Sequence, residues 1–137
     1  MLERPLSLDV GRLGRVTLPA ARLVYVGSAR GSGGLKARVR RHLLREKRVR
    51  WHVDALSSRV QPRAWLADAR GVATECGWAK RLADHPQSWI PVLGFGSSDC
   101  GQGCPAHLIA LPLHGGPSPL TLLAPTGEEL VYYAEIV

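Results

Sequence analysis

The hydrophobic period changes abruptly between residues 23 and 44, and that change commits the chain to a fold that mixes strand and helix. Leu23-Val24-Tyr25-Val26 is a β-branched and aromatic run closed by Gly27, the composition of a central strand. Ser28-Ala29-Arg30-Gly31-Ser32-Gly33-Gly34 follows, a loop whose glycines reach backbone angles closed to other residues. From Leu35 the apolar positions Leu35, Val39 and Leu43 recur at helical spacing, while Arg38, His42 and Arg45 share the neighbouring face. Strand, glycine loop and basic helix are therefore consecutive.

The other segments give coarser expectations. Residues 6–18 alternate loosely around glycines and suggest a hairpin strand or a bent pair. Trp51–Leu56 reads as a strand or the start of a helix, and Ala64–Ala69 as either helix or strand. Glu75–Ala83 reads as a second helix that stops before Asp84-His85-Pro86. His107–Leu113 and Leu120–Ala124 read as strands joined by a Gly/Pro turn, and Leu130–Val137 as a last strand. At 137 residues, with 45% hydrophobic and 21% charged residues, the chain has the size and composition of one globular domain, 1–137, with a single core. The uncharged stretch from Cys100 to Thr126 is broken by five prolines, so it cannot be a membrane helix. No apolar run backs the charges of the first five residues, so a signal peptide is not expected and a cytoplasmic location is.

Charge narrows the class of partner. Positions 36–50 hold eight basic residues against Glu46 alone, a local excess equal to the whole chain's net charge of +7. A neutral body with one basic segment predicts a polyanionic partner, and nucleic acid is the commonest. Lys36, Arg40, Arg41, Arg45, Lys47, Arg48 and Arg50 are the candidate phosphate contacts, and Trp51, beside them, the candidate base-stacking residue. Trp65, Trp78 and Trp89 are assigned to the core. The glycine loop before a helix suits a phosphate, but Gly34-Leu35-Lys36 lacks the spacing of a nucleotide-hydrolase loop. His52 and Asp54 read as a pair that orients a water or as a satisfied structural pair. Cys100, Cys104 and His107 present three soft ligands at Cys-x3-Cys-x2-His spacing, with Cys76 or His85 as a fourth. Four converging ligands would make a structural Zn²⁺ site, and the alternative is reduced cysteines packed in a loop.

Tyr25-Val26-Gly27-Ser28-Ala29, then Leu35-Lys36-Ala37-Arg38, then His42, resemble the second half of the GIY-YIG nuclease motif. Val24–His42, Arg45-Glu46-Lys47-Arg48, Trp51-His52-Val53-Asp54 and Gly94-Phe95-Gly96-Ser97-Ser98-Asp99-Cys100 together resemble the DUF123 branch of that superfamily, over residues 10–111. The resemblance implies a small α+β domain in which a three-stranded antiparallel sheet is flanked by helices, here with extra C-terminal strands. It also implies DNA binding and divalent-metal-dependent endonuclease chemistry, with a place in DNA repair. Carried onto this chain, Tyr25, Arg38, His42 and Glu75 become the catalytic set, and Glu75 the residue that holds Mg²⁺ or Mn²⁺. A guanidinium forks onto the charge of a phosphoryl transition state, and one carboxylate with waters suffices for Mg²⁺. The departure is at the start: the family's first strand carries a Gly-x-Tyr, and no tyrosine precedes Tyr25. Residues 1–18 thus resemble the later part of a longer N-terminal hairpin. Two alternatives follow, a catalytically inactive nucleic-acid-binding module and a zinc-stabilised interaction domain.

Overall fold

The computed structural model describes residues 1–123 and, as backbone, the strand 131–134. The fold is α+β. Strands β1 (Leu6–Val10) and β2 (Gly14–Leu18) form a hairpin across a single 3-10 turn at Gly11–Leu13. Alternation sends Leu8, Val10, Val16 and Leu18 inward. On the outer face, opposed residues pair across the ladder, Ser7 with Thr17 through hydroxyls 2.8 Å apart and Asp9 with Arg15 at 2.9 Å. β3 (Arg22–Tyr25) leads through the glycine loop into α1 (Gly34–Leu43), followed by α2 (His52–Ser57), β4 (Ala64–Ala67) and α3 (Glu75–Ala83). β5 (Leu108–Leu111) pairs antiparallel with β3, α4 covers Pro119–Leu123, and β6 (Val131–Ala134) pairs antiparallel with β4.

Every residue of β5 is buried, as a continuous apolar run predicts for a strand covered on both faces. Leu108 packs into one cluster with Leu2, the β1–β2 hairpin, Val53, Leu56 and Phe95. Ile109 packs into a second with Val26, Ala79, Leu82 and Leu123. The apolar interior is thus split across β5 rather than gathered into the single core expected. α3 starts where expected because Thr74 caps it, its hydroxyl accepting the Gly77 N–H at 3.0 Å, with Glu75 in the first turn.

Several expectations are corrected. Among the described residues the strands pair two by two in three small antiparallel sheets, not in one three-stranded sheet. Leu120–Leu123 is helical: Pro119 opens α4 with no N–H to lose, and the Leu122 N–H donates to the Ser118 carbonyl at 3.2 Å. Residues 124, 130 and 135–137, assigned to strands from sequence, lie outside the described residues. The helix expected over residues 35–50 ends at Leu43. Trp78 packs, partly buried, against the second cluster as expected and Trp65 is half-buried, but Trp89, assigned to the core, is exposed, as is Trp51. No helix among the described residues is long and apolar enough to cross a membrane.

Candidate functional site

Tyr25 closes β3, and two backbones fix its ring. A Cβ on Gly27 would lie 2.9 Å from Tyr25 Cε1, and one on Gly96 would lie 2.8 Å from Cε2. Gly96 also has φ +76°, which side-chain-bearing residues rarely adopt, so the tyrosine's place depends on both glycines. Burial pushes the Tyr25 pKa up to about 12, with Arg38 opposing and Glu75 reinforcing the shift. At neutral pH the phenol keeps its proton and can donate a hydrogen bond. His42 meets Tyr25 edge-on, with ring centroids 6.0 Å apart. Burial first, then the cations Arg38 and Lys47, lower the His42 pKa to about 4. Its imidazole is neutral at pH 7, and Nδ1 is buried with no partner among the described residues.

Arg38, on α1, lies over the exposed Trp51 ring with its guanidinium carbon 3.9 Å from the centroid, and Arg41 joins it at 4.7 Å. Tyr25, Arg38 and His42 line one cavity of about 390 Å³. A neighbouring cavity of about 290 Å³ is lined by Gly27, Arg30, Asp68 and Glu75, and shares Leu35 and Trp78 with the first. Three of the four predicted catalytic residues therefore share a cavity, and Glu75 lies in the adjoining one, close enough to influence the tyrosine.

The basic segment divides into two populations. Lys36, Arg40, Arg45, Arg48 and Arg50 are exposed, whereas Arg38, Arg41 and Lys47 are half-buried. Arg41 Nη2 donates to Asp54 Oδ2 at 2.7 Å and to the Arg48 carbonyl at 2.6 Å. Asp54 is fully buried; burial raises its pKa, but Arg41 and the N–H groups of Trp51 and Arg50 outweigh this and hold its carboxyl below the usual range. Lys47 Nζ donates to the Arg41 and His42 carbonyls, at 2.9 and 3.3 Å, and to Ser57 Oγ at 2.6 Å. These bonds satisfy carbonyls left open at the end of α1 and explain why the helix stops there. Asp54 is thus a structural anchor. His52 is one too, its Nδ1 accepting the Gly96 N–H at 2.9 Å and its ring meeting Phe95 edge-on.

Cys76, Cys100, Cys104 and His107 bring their ligand atoms within 4.8 Å of one another. Tetrahedral zinc with thiolates at about 2.3 Å needs ligand atoms about 3.8 Å apart. The sulfurs of Cys76 and Cys100 are 3.4 Å apart, and Cys76 Sγ lies 3.9 Å from His107 Nε2. The donor set and spacing therefore fit a metal ion such as zinc. Cys76 is the fourth member, whereas His85 Nδ1 accepts the Gln87 N–H. Backbone N–H groups of Cys104 and Gln102 pull the Cys100 pKa down to about 6, favouring the thiolate a metal takes. The buried imidazole of His107 turns Nδ1 toward Glu75 Oε1, 3.2 Å away, leaving Nε2 for the sulfurs. A carboxylate behind a ligating histidine orients the ring where the two are hydrogen-bonded; here the pair stands at ion-pair distance, and Nδ1 has no hydrogen-bond partner among the described residues. Sequence reasoning missed this use of Glu75, since nothing in the spacing of 75 and 107 signals it.

The profile of one protein family, described as the domain of unknown function DUF123, matches residues 1–120, and the chain belongs to that family. No curated protein matches the chain, and no solved structure does.

Proposed function

We propose that the protein binds DNA through the exposed cations of residues 36–50 and hydrolyses phosphodiester bonds at the Tyr25–Arg38–His42 cavity. The observation that carries this reading is the position of Arg38, a guanidinium on the basic segment that also lines the cavity holding Tyr25 and His42. Lys36 and Arg40, exposed on the same helix, hold the phosphate backbone. The Arg38 fork meets the charge that develops on the phosphoryl oxygens, where a positioned donor acts most strongly. Tyr25, protonated at neutral pH, donates to a phosphate oxygen or orients the water. His42, neutral, accepts the water's proton. A bound Mg²⁺ or Mn²⁺ would supply Lewis-acid stabilisation of the leaving oxygen, and Glu75 is the residue to hold it. One Glu75 oxygen faces His107, so an ion there would use the other.

The test is cleavage of duplex, branched and single-stranded DNA with Mg²⁺, with Mn²⁺ and with chelator. Arg38→Ala should lower the rate by roughly 10²-fold or more while leaving binding nearly intact. Absence of metal-dependent cutting on every substrate would overturn the reading. A second reading, a zinc-stabilised binding module without cleavage, is favoured by the same Glu75–His107 contact, which gives the carboxylate a role that needs no nuclease chemistry. Glu75→Gln separates the two: loss of cutting with metal content unchanged supports the nuclease, whereas weakened zinc retention alone supports the module.

A further inference from the structure

Aromatic rings carry large apolar areas and usually go to the core, yet Trp51 keeps 39% of its surface exposed although two guanidinium groups lie over its ring. A lone exposed apolar residue needs no explanation. Trp51 is not alone: Leu44 and Val49 of the same basic segment are exposed as well, among the exposed cations Arg40, Arg45, Arg48 and Arg50. Nor is its backbone loose. The Trp51 N–H donates to Asp54 Oδ2 at 3.0 Å, and its carbonyl accepts the Asp54 N–H at 2.9 Å, on a residue that is itself fully buried. Arg41, bonded to the same carboxylate, stands over the ring with Arg38. The indole is therefore held in place before a partner arrives, and an anchored side chain loses little freedom on binding.

A flat, fixed aromatic surface among cations matches a nucleobase joined to phosphates. In a duplex the faces of each base are covered by its neighbours in the stack, so a protein ring reaches a base face only where the strand is unpaired. A single sugar separates a base from its phosphate. A base against Trp51 thus sets that phosphate beside Arg38, whose guanidinium touches the ring and whose side chain lines the cavity with Tyr25 and His42. We propose that Trp51 is a specificity-determining residue that stacks on an unpaired base, and that the substrate class of this site is DNA with single-stranded nucleotides. The inference rests on the reading of residues 36–50 as the phosphate footprint and of the Tyr25 cavity as the place of cleavage. Cations alone hold paired and unpaired DNA; the stacked base adds a gain of about 5-fold or more in affinity. The competing account makes Trp51 a prop for Arg38 only, and it predicts no response to bases.

The test is equilibrium binding, in chelator to stop metal-dependent cutting, of a labelled single-stranded oligonucleotide and of the same strand built from abasic nucleotides. The abasic strand keeps every phosphate and lacks the stacking partner. Native protein should bind the intact strand on the order of 10-fold more tightly, at about 50 and about 200 mM salt alike, because stacking releases no counterions. Trp51→Leu, apolar but without a ring, should bring the two affinities within about 2-fold, and Trp51→Phe should restore most of the difference. The bonds that position 51 makes to Asp54 are backbone bonds and survive either substitution, which melting temperatures check. Equal binding of the two strands by native protein would overturn the proposal. So would a ratio unchanged in Trp51→Leu while cutting slows, which would make Trp51 a prop for Arg38. A base preference that depends on Trp51 in a protein that cuts no DNA would uphold the proposal's contact and remove the nuclease reading; cutting without base preference would do the reverse. Binding of neither strand would remove both.

Discussion

His42 shows how one buried side chain turns solution conditions into stability. Its folded-state pKa of about 4 lies below the 6.5 of the unfolded chain, so the unfolded state binds the proton more tightly. Its contribution is full above about pH 6.5 and is lost as pH falls through the window toward pH 4. Thermal melts of native protein and His42→Gln should converge over that window, because the variant lacks the titrating group; parallel curves would show that His42 is solvated. Tyr25 carries a related lesson. Its position at a strand end was legible in the sequence, but its clamping between Gly27 and Gly96 was not, since the two glycines are far apart in the chain and meet only in the fold. Glu75 was legible as a helix-opening carboxylate, and its contact with His107 was hidden for the same reason.

Among the elements, those with strong local signals follow the sequence closely. α3 occupies the expected residues because Thr74, Glu75 and the following apolar spacing agree, and the β1–β2 hairpin forms where glycines interrupt alternation. The helix end at Leu43 is decided by distant partners. α1 stops at Leu43 because Arg41 and Lys47 turn onto Asp54, the Arg48 carbonyl and Ser57, contacts that no periodicity announces. The apolar run Leu120–Ala124 has the composition of a strand, but Ser118-Pro119 starts a helix there. The internal use of Arg41 has an energetic consequence. Arg41→Ala leaves the buried Asp54 carboxylate without its cation and should cost roughly 3 kcal/mol in urea unfolding. Adding Asp54→Asn should recover part of that loss, and a variant as stable as the native protein would mean that Asp54 does not organise the segment.

At the scale of the whole molecule, the Tyr25 cavity and the Cys76–Cys100–Cys104–His107 cluster meet at Gly96, where a Cβ would lie 2.8 Å from the Tyr25 ring and 3.3 Å from His107 Cβ. The cluster ties α3 to the loop before β5, and a zinc ion there would close long stretches of chain at one point. Purified protein should contain about one equivalent of zinc. Chelation should lower the melting temperature, and Cys104→Ser should reproduce that loss. Metal-free protein whose melting is indifferent to chelator would leave the cluster as thiol packing.

The claim on which the functional reading depends is that nucleic acid meets the exposed cations of residues 36–50, and the salt dependence of DNA binding tests it most directly. Native protein and the triple variant Arg40→Ala, Arg45→Ala, Arg48→Ala, which spares the inward-turned Arg41 and Lys47, should be titrated onto one duplex from 50 to 200 mM salt, a range over which phosphate contacts register strongly. The account predicts that affinity falls steeply with salt and that the slope of log K against log salt shrinks by about 3 in the variant, about 1 for each phosphate contact removed. A flat dependence in the native protein, or an unchanged slope in the variant, would contradict it.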